Sequence, residues 1–217
     1  MVWARAMMAI AIMAALATQF ATTVTGAAAG GRDVATTVVN FFSFFTVLSN
    51  VLAVVVLVAA AWMTARDRRA AEESAGLAFA LAAAATYLIV TGVVYNLLLR
   101  GVELPQGHTV PWSNEVLHVV APLFLLVDVL AGPRRRPLGW GTIAGILVFP
   151  LIWTGYTLVR GPLITSPLTG DPWWYPYPFL DPHLVPGGYL GVAGYVAAIA
   201  AAIGAVATFV VWWGRRQ

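Results

Sequence analysis

The chain has 217 residues, 60% hydrophobic and 10% charged, with a formal net charge of +3 and a mean hydropathy of +0.83. That composition excludes an ordinary soluble domain, and the absence of Cys excludes disulfide frameworks, thiolate metal sites and cysteine nucleophiles. All 12 basic residues are Arg and they sit at the ends of apolar segments, so the charge does not point to nucleic acid.

Six segments reach the roughly 20 apolar residues that a membrane crossing needs: 6–28, 36–63, 76–99, 112–131, 138–159 and 186–213. Lipid cannot satisfy open backbone groups, so segments this apolar are predicted to be helices. The expectation is an all-α, polytopic bundle of six transmembrane helices forming one domain over 1–217. The first segment also has features of a signal peptide, with Arg5 ahead of the apolar run and Ala27-Ala28-Ala29 at its end. Its length, and Gln19, Thr22 and Thr23 within it, favour retention as a span.

Arg placement sets the expected orientation. Arg5, Arg66, Arg68, Arg69, Arg134, Arg135, Arg136, Arg215 and Arg216 fall on one side, and Arg32, Arg100 and Arg160 on the other. The excess marks the cytoplasmic side, which puts both termini there. Abundant Ala and Arg without Lys suggest a GC-rich bacterial genome, hence a bacterial plasma membrane. A faint repeat links the ends of the third and fifth segments, Thr91-Gly92 to Arg100-Gly101 and Thr154-Gly155 to Arg160-Gly161.

The second segment carries Phe41-Phe42-Ser43-Phe44-Phe45-Thr46-Val47-Leu48-Ser49-Asn50. Polar groups in an apolar span are costly and mark candidate sites. If the helix begins near Thr36, Thr46 lies about 15 Å along it. Ser43, Thr46 and Asn50 then share a face, and Ser49 and Asn50 lie within a turn of Thr46. In the fourth segment His118 lies about 9 Å along its helix. Asn114 and Glu115 precede His118 on the same face, where either side chain could orient the imidazole. A hydroxyl and an imidazole at similar depth make Thr46 a candidate nucleophile and His118 a candidate base. Each residue also has an ordinary structural use: a Thr hydroxyl bonds its own helix or helps helices pack, and a membrane His bonds another helix.

Asp128, ten residues beyond His118, is expected to pair with an Arg near the inner interface. Tyr87, Thr91 and Tyr95 form an i, i+4, i+8 stripe on the third segment, and Tyr156 and Tyr189 lie near outer ends; all five are candidates for binding a substrate. They serve equally as packing groups with one hydrogen bond each. With three His and no Cys, a metal is not expected. The last outer loop, Asp171-Pro172-Trp173-Trp174-Tyr175-Pro176-Tyr177-Pro178-Phe179-Leu180-Asp181-Pro182-His183, reads as a stiff aromatic strap across the bundle mouth, an interfacial anchor or a lid.

Three of these stretches resemble a family. Phe45-Thr46-Val47-Leu48-Ser49-Asn50 is similar to its Phe-Thr-x-x-Ser-Asn motif. Trp112-Ser113-Asn114-Glu115-Val116-Leu117-His118, with Ala121-Pro122 and Asp128, is similar to its His-bearing span. Trp174-Tyr175-Pro176-Tyr177-Pro178-Phe179-Leu180-Asp181 with Gly188-Tyr189 is similar to its last outer loop. Together they resemble the bacterial six-span proteins related to the androgen-induced protein and ADTRP family. The resemblance covers most of the chain, though the local sequence around His118 departs from the animal pattern. It implies an intramembrane threonine hydrolase of fatty acid esters of hydroxy fatty acids, with Thr46 as nucleophile and His118 as its partner. The expected activity is lipid-ester hydrolysis with no cofactor. Ser49 and Asn50 are oxyanion candidates, Asn114 and Glu115 orienting candidates, and membrane lipids the surroundings. The rival is a non-enzymatic lipid or small-molecule binder or transporter using the same cavity; a transporter is expected to show broken helices and paths to both sides.

Overall fold

A computed structural model of the chain describes residues 1–66, 72–102, 107–132 and 135–216. Arg68, Arg69 and Arg134, used above for orientation, lie outside the described residues. The described residues form helices and no strand. Six helices are long and apolar enough to cross a membrane: Val2–Ala29, Phe45–Arg66, Ala75–Leu99, Pro111–Ala131, Thr142–Leu163 and Tyr189–Gly214, called here the first to sixth spans. Five begin and end within a few residues of the sequence expectation, and the set is compatible with a multi-pass membrane protein.

The third span is the axis of the bundle. It packs against the second, fourth and sixth and has the largest share of buried residues of the six. The run Ala82-Ala83-Ala84-Ala85 is wholly buried. Small side chains there let neighbouring backbones approach closely, the usual basis of helix association in lipid. Around it lie Leu57, Leu81, Leu88, Leu125, Ile12 and Ile146, all fully buried. The first span packs along the second, and Gln19 ties it to the strap end by accepting from Val110 N–H and donating to the His108 carbonyl.

The second segment departs from expectation. It is two helices, Val34–Phe41 and Phe45–Arg66, separated by a turn at 42–44. Asp33 caps the short helix, its carboxylate accepting from Ala35 N–H and Thr36 N–H. The turn closes with tightened bonds, Ser43 N–H to Asn40 O and Phe44 N–H to Phe41 O. Distant side chains satisfy the backbone it exposes: Trp153 Nε1–H donates to Ser43 O at 2.9 Å, and Tyr177 Oη accepts from Thr46 N–H at 3.2 Å. No periodicity along the segment reveals partners supplied from more than a hundred residues away. Thr46 is therefore the second residue of a new helix, not the middle of a continuous one, and Ser43 is not on its face. The Ser43 hydroxyl lies 2.8 Å from Val39 O and 2.9 Å from the Tyr156 hydroxyl.

Prolines shape two other spans. Pro122 has no N–H for the His118 carbonyl, and its ring crowds that carbonyl. The fourth span responds with a π turn at Val116–Val120, where Ala121 N–H bonds back to Val116 O. Gly92 of the third span faces this irregularity; a Cβ there would lie 2.9 Å from Pro122 Cβ and 3.1 Å from His118 O. Pro150 likewise leaves the Ile146 carbonyl without its helical donor, and the Tyr87 hydroxyl donates to it at 2.6 Å. The third span ends in a second π turn, Tyr95–Leu99. The two ends of the faint repeat differ locally: Tyr95 is buried in a π turn, whereas Tyr156 is exposed on an α-helix.

The strap is folded onto the bundle, with Trp174, Tyr175, Tyr177, Phe179 and Leu180 buried. Trp174 N–H donates to Gly161 O. Gly161 is required there because a Cβ would collide with the Tyr175 ring.

Candidate functional site

Thr46 and His118 meet at the strap end of the bundle. Both are buried, and Thr46 Oγ1 lies 3.3 Å from His118 Nε2. The two π turns converge on the same point, because the Tyr95 ring stacks on the His118 imidazole with centroids 4.2 Å apart. Tyr177, which the sequence reading left inside the strap, is the third partner: its hydroxyl is 3.2 Å from both Thr46 N and Thr46 Oγ1. Pro176 and Pro178 flank it, and the residue before a proline is held extended, as Tyr177 is at φ −136° and ψ 141°. A tyrosine clamped between prolines in a loop that packs back onto the bundle is the signal that could have found it.

The ends of this chain of hydrogen bonds fix its direction. The Asn114 carbonyl can only accept, so His118 Nδ1 donates to it at 2.9 Å. In the neutral ring Nε2 is then the acceptor, and the Thr46 hydroxyl donates to it. At the other end Thr46 N–H donates to Tyr177 Oη, which leaves the Tyr177 proton free to turn to Thr46 Oγ1. Burial pushes the Tyr177 hydroxyl above its ordinary range, against the opposing effect of its bonds to Thr46, so it stays a donor. Thr46 also sits in the first turn of the Phe45–Arg66 helix, where backbone N–H groups and the helix dipole favour negative charge.

The other expected residues divide. Ser49 and Asn50 both donate to Thr46 O, and Asn50 also to Leu117 O, so these donors stabilise the helix start and the contact with the fourth span. Neither is directed at the space beside Thr46 Oγ1, which corrects their reading as oxyanion donors. Asn114 does orient the imidazole, but through its backbone carbonyl; its side-chain amide donates to the Tyr95 hydroxyl. Glu115 is turned outward to an exposed pair with Arg100 at 3.0 Å. Tyr87 satisfies the Ile146 carbonyl instead of facing a substrate. Tyr156 and Tyr189 are exposed, bonded to Ser43 and Tyr175 respectively. Thr91 and Tyr95 remain at the site. Among the described residues, no group of three His, Asp or Glu lies close enough to hold a metal.

A cavity of about 70 Å³ runs from this point into the bundle. Thr46, His118, Thr91, Tyr95, Thr154 and Tyr177 are among its polar-tipped lining; Phe45, Val90, Leu147, Val196, Ile199 and Ile203 are among its apolar walls. From Val196 to Ile203 on the sixth span it extends about 10 Å. The Thr91 hydroxyl is buried on this wall with no hydrogen-bond partner. No family model, curated protein or solved structure matches this chain.

Proposed function

We propose that the protein is an intramembrane lipid-ester hydrolase acting on a fatty-acyl ester, with Thr46 as nucleophile and His118 as general base. The observation that carries this reading is the directed chain from Thr46 Oγ1–H to His118 Nε2 and from His118 Nδ1–H to the Asn114 carbonyl, opening on an apolar slot. A Thr hydroxyl is too weak an acid to attack without such a base. The resemblance to the androgen-induced protein and ADTRP family supports the same pair.

In the acylation step the Thr46 proton passes to His118 Nε2 as Oγ1 bonds to the ester carbonyl carbon. The carbonyl oxygen becomes the oxyanion. The Tyr177 hydroxyl turns from Oγ1 to donate to that oxygen, and the unpartnered Thr91 hydroxyl is the second available donor. Collapse breaks the bond to the alcohol oxygen, which takes the proton from His118. A water then attacks the acyl-threonine, His118 accepts its proton and returns it to Thr46 as the acid leaves.

The test is labelling by a lipid-tailed fluorophosphonate. Wild-type protein should acquire one covalent adduct on Thr46, and Thr46→Ala none. Unlabelled wild-type protein that still binds fatty acid in the cavity supports the second reading, a non-enzymatic lipid carrier. The helix break at 42–44 favours that alternative, since interrupted helices are common at carrier binding sites.

A further inference from the structure

The Thr46–His118 pair has a second, smaller cavity beside it, of about 30 Å³. Gln19 of the first span and Ser113, Asn114 and Leu117 of the fourth line it, whereas the third, fifth and sixth spans wall the apolar slot. Among the described residues, the two spaces share only Thr46, His118 and Tyr177 in their linings. Those three side chains therefore stand between them.

Size and hydrogen-bonding capacity select the occupant. A water needs roughly 10–15 Å³ of such space and two to four polar partners. A cavity of about 30 Å³ admits water and excludes either half of a lipid ester. Its polar lining has few free donors. Gln19 donates through both amide N–H groups, to Thr23 Oγ1 and the His108 carbonyl, and Ser113 gives its hydroxyl proton to the Ala15 carbonyl. Val110 N–H takes one lone pair of Gln19 Oε1 and leaves the other. What remains on Gln19 and Ser113 is acceptor capacity, which suits an occupant that donates. Once Thr46 is acylated, its proton no longer holds His118 Nε2, which becomes a further acceptor.

We infer that this cavity seats the water that deacylates Thr46. The water oxygen bonds to the acyl carbon as its proton passes to His118 Nε2. The bond from that carbon to Oγ1 then breaks, and Oγ1 takes the proton back from His118. The acyl chain occupies the slot throughout, so water and chain do not compete for one space. The inference rests on the hydrolase reading for its chemistry, but an ordered water beside the pair is a claim of its own.

Val47, on the wall of this cavity, provides the test: Val47→Leu adds volume there and Val47→Ala removes it. Purified full-length protein in nanodiscs would receive a p-nitrophenyl ester of a fatty acid. Nitrophenol release reads acylation, and decay of the acyl-Thr46 adduct by intact mass reads deacylation. Val47→Leu should acylate as wild type does and deacylate roughly 10²-fold more slowly, because its water is displaced. With methanol added, Val47→Ala should send a larger share of the acyl group to methyl ester than wild type, a partition that a merely structural role would not move. Should Val47→Leu fail to fold, that partition decides alone. Both steps unchanged or equally slowed in Val47→Leu, or an unmoved methyl ester share in Val47→Ala, overturns the assignment and leaves the hydrolase standing. If wild type forms no acyl adduct, the hydrolase reading fails, and a cryo-EM map that resolves solvent decides the site. A water between His118 and the Gln19–Ser113 wall keeps the water site without its chemistry, and an empty cavity overturns it.

Discussion

Polar groups are buried at both ends of this bundle, but in different chemical states. At the end carrying the termini, Arg5, Glu73, Asp128 and Arg135 are packed together: Arg5 bonds Asp128 at 2.9 Å and Glu73 at 3.3 Å, and Arg135 bonds Asp128 at 2.7 Å. Burial pushes the Glu73 carboxyl up, against the pull of Arg135 and Arg5. At the strap end Tyr177, Thr46 and His118 are joined in one directed chain beside a cavity, with the Tyr95 ring stacked on the imidazole. The charged cluster joins the first span, the loop before the third span and the fourth span to one another. The strap-end groups keep a hydroxyl that can redirect its proton and another with no partner. The charged end also holds unpartnered atoms, Glu73 Oε2 and Arg135 Nε; what sets the strap end apart is a neutral hydroxyl and imidazole facing each other beside a cavity.

Substitutions at the two ends should therefore fail in different ways. Thr46→Ala and His118→Ala should each lower ester hydrolysis by roughly 10³-fold or more, because a nucleophile and base act as a unit. Both proteins should elute and melt like wild type. Activity surviving in either, measured by release of fatty acid, would break the assignment of chemistry to the strap end.

Asp128→Ala leaves Arg5 and Arg135 buried without their shared carboxylate. It should cost about 3–5 kcal/mol of stability, read as a lowered melting temperature in detergent. Turnover per folded molecule should stay near wild type; a selective loss of kcat would show that the two ends are not separate.

Tyr177→Phe keeps the ring against Phe44 and Phe179, with centroids 5.5 Å and 5.2 Å away. It removes only the hydroxyl, so kcat should fall about 10²-fold with KM little changed. An unchanged kcat would reduce the strap to a cover. Smallest of all, Tyr87→Phe should cost about 1 kcal/mol for the lost bond to the Ile146 carbonyl and leave hydrolysis intact, although Tyr87 shares a helical stripe with Thr91 and Tyr95.

That stripe illustrates how far the sequence could be read. Spacing put Tyr87, Thr91 and Tyr95 on one face, yet they have three uses: one fills the gap left by Pro150, one faces the cavity unpaired, and one stacks on His118. Asp128 was legible as an ion-pair partner for an Arg, but Arg5 as that partner was not, since the two lie 123 residues apart. Ser49 and Asn50 were legible as neighbours of Thr46, while the direction of their donors was not.

By itself the sequence determined the six apolar spans and singled out Thr46 and His118. A long apolar segment can satisfy its backbone only within itself, so span and helix follow from composition; a hydroxyl or imidazole in such a segment is costly enough to stand out. Only the tertiary structure decided that the second segment breaks before Thr46, that the Asn114 carbonyl holds the imidazole, and that Tyr177, 131 residues along the chain, closes the site. Those outcomes depend on which distant side chain reaches a freed backbone group, and helix periodicity carries no information about that.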